Sequence, residues 1–316
     1  MSLQLPSPTK PMRIGTRGSP LALAQAYEAR GRLCRAFDLE DAAFEIIVIK
    51  TTGDKVLDRP LKEIGGKGLF TREIEDFMLS KRIDIAVHSM KDMPVLQPSG
   101  LVLNTYLPRE DVRDAFVAKD YKNLEELPEG VVVGTSSLRR KAQLQNRRPD
   151  LEVVEFRGNV QTRLQKLKDG VAECTFLAMA GLNRLNMSHV ANSAIEINQM
   201  LPAVAQGAIG IERRSSDHNT ADILEAIHHV PTGLRLTAER AFLASLDGSC
   251  ETPIAGLAVL NAGSIRLQGE VLRTDGSEVI TNVATSPIED AAEMGAEMGR
   301  KLLEKAGPGF FEWRTN

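Results

Sequence analysis

One pattern constrains this chain above all others. A short apolar run enters a turn rich in glycine and hydroxyls, the turn carries arginine, and a helical stretch follows at once. It occurs at Arg13-Ile14-Gly15-Thr16-Arg17-Gly18-Ser19-Pro20 and again at Val131-Val132-Val133-Gly134-Thr135-Ser136-Ser137-Leu138-Arg139-Arg140. A strand feeding a helix through a tight turn opens a βαβ unit, and such units build sheets with helices on their faces. The second unit resembles the first in design. The alternation continues with strands at Phe44 to Lys50, Ile83 to Ser89, Asp114 to Ala118, Leu151 to Phe156 and Cys174 to Ala178. The first of these is mostly apolar and is predicted to be central in its sheet.

The pattern changes near residue 229. An Ala/Leu-rich helix, Leu234 to Leu246, leads to three strand-like runs: Ile254 to Leu260, Ser264 to Arg273 and Glu278 to Thr285. Turns at Asn261-Ala262-Gly263 and Asp275-Gly276-Ser277 separate them, which predicts an antiparallel meander. A last helix, Pro287 to Lys305, covers it. At 316 residues the chain exceeds the roughly 250–300 at which one core stops growing. The expected division is a flexible tail at 1–11, a first α/β domain at 12–107 rejoined by 207–226, a second at 108–206, and a small α+β domain at 229–316. The segment Pro202 to Glu212 carries the return to the first domain.

Composition narrows the function. A net charge of -3 and 4% aromatic residues weigh against a nucleic-acid surface. Cys34, Cys174 and Cys250 are far apart, without CxxC or paired-histidine spacing, so neither a metal site nor a disulfide framework is expected. The first residues lack an apolar signal region, and no run approaches the roughly 20 apolar residues of a membrane span. The cytoplasm is the default compartment.

The chemistry gathers in turns at strand ends. A helix N-terminus behind a Gly/Ser turn presents free N–H groups that attract anions. Arg17 lies in one such turn, as an anion contact or as a solvated side chain. Lys91 and Asp92 follow the strand Ile83 to Ser89, at the carboxyl end where open α/β sheets bind ligands. They are either a structural ion pair or a tuned acid–base group. Arg139 and Arg140 occupy the first turn of a helix, where the macrodipole disfavours cations. A bound anion would remove that conflict. With Arg157, Arg163 and Arg184 at further strand ends, these cations suit a ligand with several carboxylates.

Gly65-Gly66-Lys67-Gly68-Leu69-Phe70 lacks the final Lys-Ser/Thr of a Walker loop and reads as a lid or an anion-contacting turn. Cys174 reads as a buried, inert thiol and Cys34 as packing. Cys250 sits among small residues in Asp247-Gly248-Ser249-Cys250-Glu251-Thr252-Pro253. It is a nucleophile, an attachment point, or an inert thiol ending a helix.

The stretches GTRGSPLALAQA, GGKGLF, DIAVHSMKDMP, GTSSLRR, FRGNVQTRL, LPAVAQGAIGIE and DGSCETPIAG occur in this order. Together they resemble the porphobilinogen deaminase family, also called hydroxymethylbilane synthases. The resemblance spans nearly the whole chain apart from the tail. It implies two doubly wound α/β domains of the type II periplasmic-binding-protein kind around a cleft, plus a small α+β C-terminal domain with a three-stranded antiparallel sheet. It implies a monomeric transferase of tetrapyrrole biosynthesis that condenses four porphobilinogen molecules head to tail, with loss of ammonia, and then releases hydroxymethylbilane. Its partners would be porphobilinogen and its oligomers, with no nucleic acid and no membrane.

The resemblance also implies a dipyrromethane cofactor in thioether linkage to Cys250, and no metal. Asp92 would be the catalytic carboxylate, assisted by Lys91 and Arg17. Cofactor contacts would come from Ser89, Lys91, Asp92, Thr135, Ser136, Ser137, Arg139, Arg140, Arg157, Gly158 and Gln206. Substrate contacts would come from Arg17, Ser19, Lys67, Phe70, Arg157, Arg163 and Arg184. One departure stands out: Glu63 occupies a position before GGKG where a lysine is expected. Two other functions compete: a carboxylate-binding sensor without turnover, and an acyl transferase using the Cys250 thiol. The second needs a histidine near that thiol, and the sequence offers no obvious one.

Overall fold

The computed structural model describes residues 3–55, 71–246 and 252–311. Their strands are, in chain order, β1 (Met12–Arg17), β2 (Phe44–Ile49), β3 (Ile85–Ser89), β4 (Leu101–Tyr106), β5 (Asp114–Ala118), β6 (Val132–Gly134), β7 (Glu152–Val154), β8 (Cys174–Ala178), β9 (Ser193–Ala194), β10 (Ile209–Arg214), β11 (Ile254–Asn261), β12 (Ser264–Leu272) and β13 (Val279–Pro287). The chain divides into two compact units. One comprises Met1–Arg109 and Ala208–Gly233, the other Glu110–Gly207 and Leu234–Asn316.

Each unit holds a five-stranded sheet, and the two sheets share one plan. In the first the order is β2-β1-β3-β10-β4, and in the second β7-β6-β8-β5-β9. In the first, β1 runs parallel to β2 and β3, while β10 runs antiparallel to β3 and β4. In the second, β6 runs parallel to β7 and β8, while β5 runs antiparallel to β8 and β9. Parallel neighbours need long crossovers. The helices Pro20–Phe37, Leu138–Arg147 and Val160–Lys168 provide three of them. The doubly wound α/β class expected from the sequence is the observed one.

The helix Pro20–Phe37 shows how these elements are built. Ser19 caps it by accepting from Ala22 N, proline follows the cap, and Ala26, Ala29 and Leu33 line its buried stripe. That stripe packs with Ile14, Ile85 and Ile211 on one face of the first sheet. Ile74 and Met78, from the helix Arg72–Leu79, pack with Ile49 and Ile83 on the other. In the second sheet Phe116, Val133 and Phe176 form one core, and Val117, Leu177 and Leu182 another.

Two expectations need correction. The strand at Phe44 to Lys50 is not central: β2 lies at the sheet's edge, and Val48 is 50% exposed. Its apolar character has a different cause. Phe44 and Ile46 belong to the core on one face and Ile47 and Ile49 to the core on the other, so even an edge strand is apolar on both sides. The tail is not free. Gln4 N donates to Asn219 Oδ1 and Asn219 Nδ2 donates to Gln4 O, each at 2.8 Å, and Pro6 is buried.

The last three strands form a separate antiparallel sheet, β11-β12-β13. The helix Ala291–Ala306 packs on it and buries Met294, Met298 and Leu302 at successive turns. This is the meander and covering helix that the sequence predicted.

Candidate functional site

β1 and β3 are parallel neighbours, so their carboxyl ends share one edge of the first sheet. A concavity of about 80 Å³ opens there, lined by Arg17, Ser19, Gln25, His88, Ser89 and Asp92 among others. Arg17 is the last residue of β1, and Ser89 the last of β3. Lys91 and Asp92 follow in a single 3-10 turn, Met90–Asp92. Asp92 is exposed and Lys91 half-buried. Gln25 reaches from its helix to hold Ser89, with its Nε2 at 2.8 Å and its Oε1 at 3.0 Å from the serine Oγ. The structure therefore brings Arg17, Ser19, Ser89 and Asp92 together; Arg17 and Asp92 were singled out by their place at strand ends, Ser19 and Ser89 by the family resemblance. His88 was read without a role, yet it is part of the same wall.

In the second unit the turn after β6 is tightly bonded. Thr135 Oγ1 accepts from Ser137 N at 3.2 Å, Ser136 Oγ from Phe156 N at 2.9 Å and Ser137 Oγ from Arg140 N at 3.4 Å. In these bonds each hydroxyl acts as acceptor, and a hydroxyl so used can still donate its own hydrogen.

Arg139 and Arg140 are each only 5% exposed. The anion that reconciles them with the helix N-terminus is internal. Arg139 Nη2 donates to Asp114 Oδ2 and Arg140 Nη2 to Asp114 Oδ1, both at 2.7 Å. Their Nη1 atoms donate to Leu201 O and Phe176 O, both at 2.8 Å. Gln206 Nε2 donates to Asp114 Oδ1 at 2.9 Å and to Val112 O at 2.8 Å. Asp114 thus gives both guanidiniums an internal counter-ion, and Gln206 donates its amide to the same carboxylate.

Asp114 is the residue that sequence reasoning missed. The one signal was an aspartate heading an apolar strand, since a fully buried acid needs a cationic partner. Burial pushes its carboxyl up, but Arg139 and Arg140 outweigh burial and hold it well below the usual carboxylate range. Burial, and then the neighbouring Arg140, pull Arg139 down. A guanidinium starts so high that it stays charged. Two guanidiniums share this one hydrogen-bonded carboxylate, and the Glu270 carboxyl group acts on Arg139 as well. The Nε atoms of both arginines are buried without a hydrogen-bond partner among the described residues.

The remaining sequence-predicted residues lie around this core of the second unit. Arg157 and Gly158 form the turn into the helix Val160–Lys168, with Gly158 at φ +125 and Arg157 O accepting from Lys166 Nζ at 3.0 Å. Arg163 is half-buried in that helix. Arg184 Nη2 donates to Gly207 O at 3.1 Å, which ties it to the turn beside Gln206. Ala205 holds φ +61, and its N–H donates to Glu239 Oε2 at 2.7 Å. Glu239 Oε1 accepts from Ala258 N at 2.8 Å. Lys67, Phe70, Cys250 and Glu63 lie outside the described residues.

Cys174 is buried, and burial pushes its thiol up to about 12. Cys34 Sγ sits 3.6 Å from Asp41 Oδ1, and burial raises its thiol as well. Among the described residues no helix is long and apolar enough to cross a membrane.

Fold and site define a protein of two α/β frameworks with a polar concavity at the strand ends of one and a buried cationic cradle in the other. Residues 12–222 match the family model described as porphobilinogen deaminase, dipyromethane cofactor binding domain, and residues 234–304 match the model of that enzyme's C-terminal domain. The chain belongs to the porphobilinogen deaminase family. It is 65% identical to the porphobilinogen deaminase of Paracoccus denitrificans over 310 residues, covering 98% of this chain and 99% of the relative. The chloroplastic porphobilinogen deaminase of Oryza sativa subsp. japonica is 54% identical, over 95% of this chain and 86% of the relative. Among solved structures, a putative methionine-binding lipoprotein from Bacillus subtilis aligns at 15% identity and a TM-score of 0.42, over 72% of this chain and 93% of that one.

Proposed function

We propose that this chain condenses four porphobilinogen molecules head to tail on a dipyrromethane held by Cys250, releases ammonia at each step, and then releases hydroxymethylbilane. Family membership supports this reading. The observation that carries it is the cradle at Asp114, where two buried guanidiniums share one carboxylate and keep Nε–H donors without a hydrogen-bond partner among the described residues. A group bearing several carboxylates fits such a surplus of buried cationic donors. When bound, the dipyrromethane supplies the primer from which the chain grows and to which it stays tethered.

The chain's own residues divide the work. Arg139, Arg140 and the hydroxyls of Thr135, Ser136 and Ser137 orient cofactor carboxylates, with Ser89, Lys91, Arg157, Gly158 and Gln206 completing that set. Arg17, Ser19, Arg157, Arg163, Arg184, Lys67 and Phe70 engage the substrate. Porphobilinogen loses ammonia from its aminomethyl carbon, and positive charge develops on the pyrrole as it leaves. A fixed carboxylate at Asp92 stabilises that charge and can hold a proton at its Oδ atoms. Lys91 adds a point charge for carboxylates. The protein works as a monomer in the cytoplasm, with the three-domain division drawn from its sequence.

Intact-protein mass tests the reading. The purified protein should exceed its sequence mass by one dipyrromethane, and Cys250→Ser should lose that increment. An unmodified protein that still turns over porphobilinogen would overturn it.

A further inference from the structure

Behind the Asp92 concavity sits a group of ionisable side chains that the proposed function leaves unused. β3 and β10 are antiparallel neighbours with His88 opposite Gly210. Glu212 is two residues further along β10, so it shares a face with Gly210 and reaches His88 diagonally. His88 Nε2 and Glu212 Oε2 are 3.1 Å apart. His88 is 6% exposed and Glu212 0%. Glu212 Oε1 has no hydrogen-bond partner among the described residues. Glu75, from the helix Arg72–Leu79, is also buried.

The charged groups on this side of the sheet are Glu75, which feels both His88 and Glu212, with Asp76 beside it on the helix, and Glu212 on β10; Arg17 and Asp92 line the concavity together with His88. Burial pushes the Glu75 carboxyl up, and the charge of Glu212 adds to that push. Two carboxylates and an imidazole are thus gathered, each nine-tenths buried or more, beside a concavity that His88 helps to line. An ionised carboxylate can only accept, so a neutral imidazole beside it donates through Nε2 and keeps its lone pair on Nδ1. With Nε2 committed to Glu212, Nδ1 is the nitrogen available to an occupant.

We propose that His88 is a second proton-handling residue of the Asp92 concavity, with Glu212 fixing its tautomer so that Nδ1 accepts a proton from the occupant. This rests on the deaminase reading. In each condensation the aminomethyl group enters as an ammonium. Its C–N bond breaks with the electron pair on nitrogen, and ammonia leaves. The new C–C bond displaces one proton from a ring carbon, and that proton finishes on ammonia as ammonium. His88 Nδ1 holds it in between. Asp92 then keeps its negative charge for the developing cation and need not also serve as the base.

Nitrogen NMR of His88 in the purified holoprotein tests the tautomer, and kinetics with porphobilinogen test the role. A proton on Nε2 and a bare Nδ1 are expected. His88→Gln should lower kcat about 100-fold with KM within about two-fold of the wild type. Glu212→Gln should give a mixed tautomer and a smaller fall in kcat, which keeps a kinetic test available should His88→Gln fail to fold. A proton on Nδ1 in the wild type overturns the proposal, as does a folded His88→Gln protein with unchanged kcat. A wild type that releases no ammonia from porphobilinogen sinks the deaminase reading and this proposal together. One that turns over while His88→Gln keeps its rate sinks this proposal alone.

Discussion

Asp114 Oδ2 lies 2.7 Å from Arg139 Nη2, and Asp114 Oδ1 lies the same distance from Arg140 Nη2. One fully buried carboxylate thus holds two consecutive guanidiniums of a helix's first turn. Removing it leaves two buried cations without their anion. Asp114→Asn should cost about 3–5 kcal/mol, the range for breaking a buried pair from one side. Urea denaturation measures this, and a variant as stable as the wild type would deny the cradle its structural role.

The same carboxylate predicts an acid dependence. Its folded value is depressed, so its stabilisation is complete above the unfolded value of about 4 and is lost as pH falls below that. The stability gap between wild type and Asp114→Asn should narrow as urea titrations move from pH 7 to pH 3. A gap that stays constant would contradict the pairing.

Asp92 is exposed at the mouth of its concavity, so its loss should barely touch folding. Asp92→Ala should change stability by less than about 0.5 kcal/mol and slow ammonia release at least about 100-fold. Normal rates in that variant would remove Asp92 from the chemistry.

The Cys174 thiol, pushed up to about 12 by burial, stays protonated at pH 8. Iodoacetamide should leave it unmodified in the folded protein and label it after unfolding in guanidinium. Peptide mapping decides, and rapid native labelling of Cys174 would be the contrary result.

Gly207 holds φ +86, and a Cβ there would meet Glu110 O at 2.6 Å. Both the backbone angle and the space select glycine. Gly207→Ala should lose about 1–3 kcal/mol, read as a lower urea midpoint. No loss would mean that the turn relaxes freely.

What the sequence made legible was local. The helix from Leu21 to Phe37 and the three strands of the meander follow from periodicity and turn chemistry, and the structure places them within a few residues. Arg17 and Asp92 were readable because each follows a strand into a turn, and Ser19 and Ser89 through the family motifs that contain them. What stayed hidden was non-local. Asp114 lies 25 and 26 residues before the arginines it pairs with. His88 meets Glu212 across 124 residues, and Gln4 meets Asn219 across 215. Strand position in a sheet is also a matter of partners, which is why the apolar β2 looked central.

The strand order carries a consequence for biosynthesis. β10 fills the place between β3 and β4 in the first sheet, yet it follows the whole stretch Glu110–Gly207 in sequence. A ribosome delivers β1 to β4 early and the strand that joins β3 to β4 last. The strands β5 to β9 are contiguous, so their sheet can close as they emerge. The unit begun first is completed second.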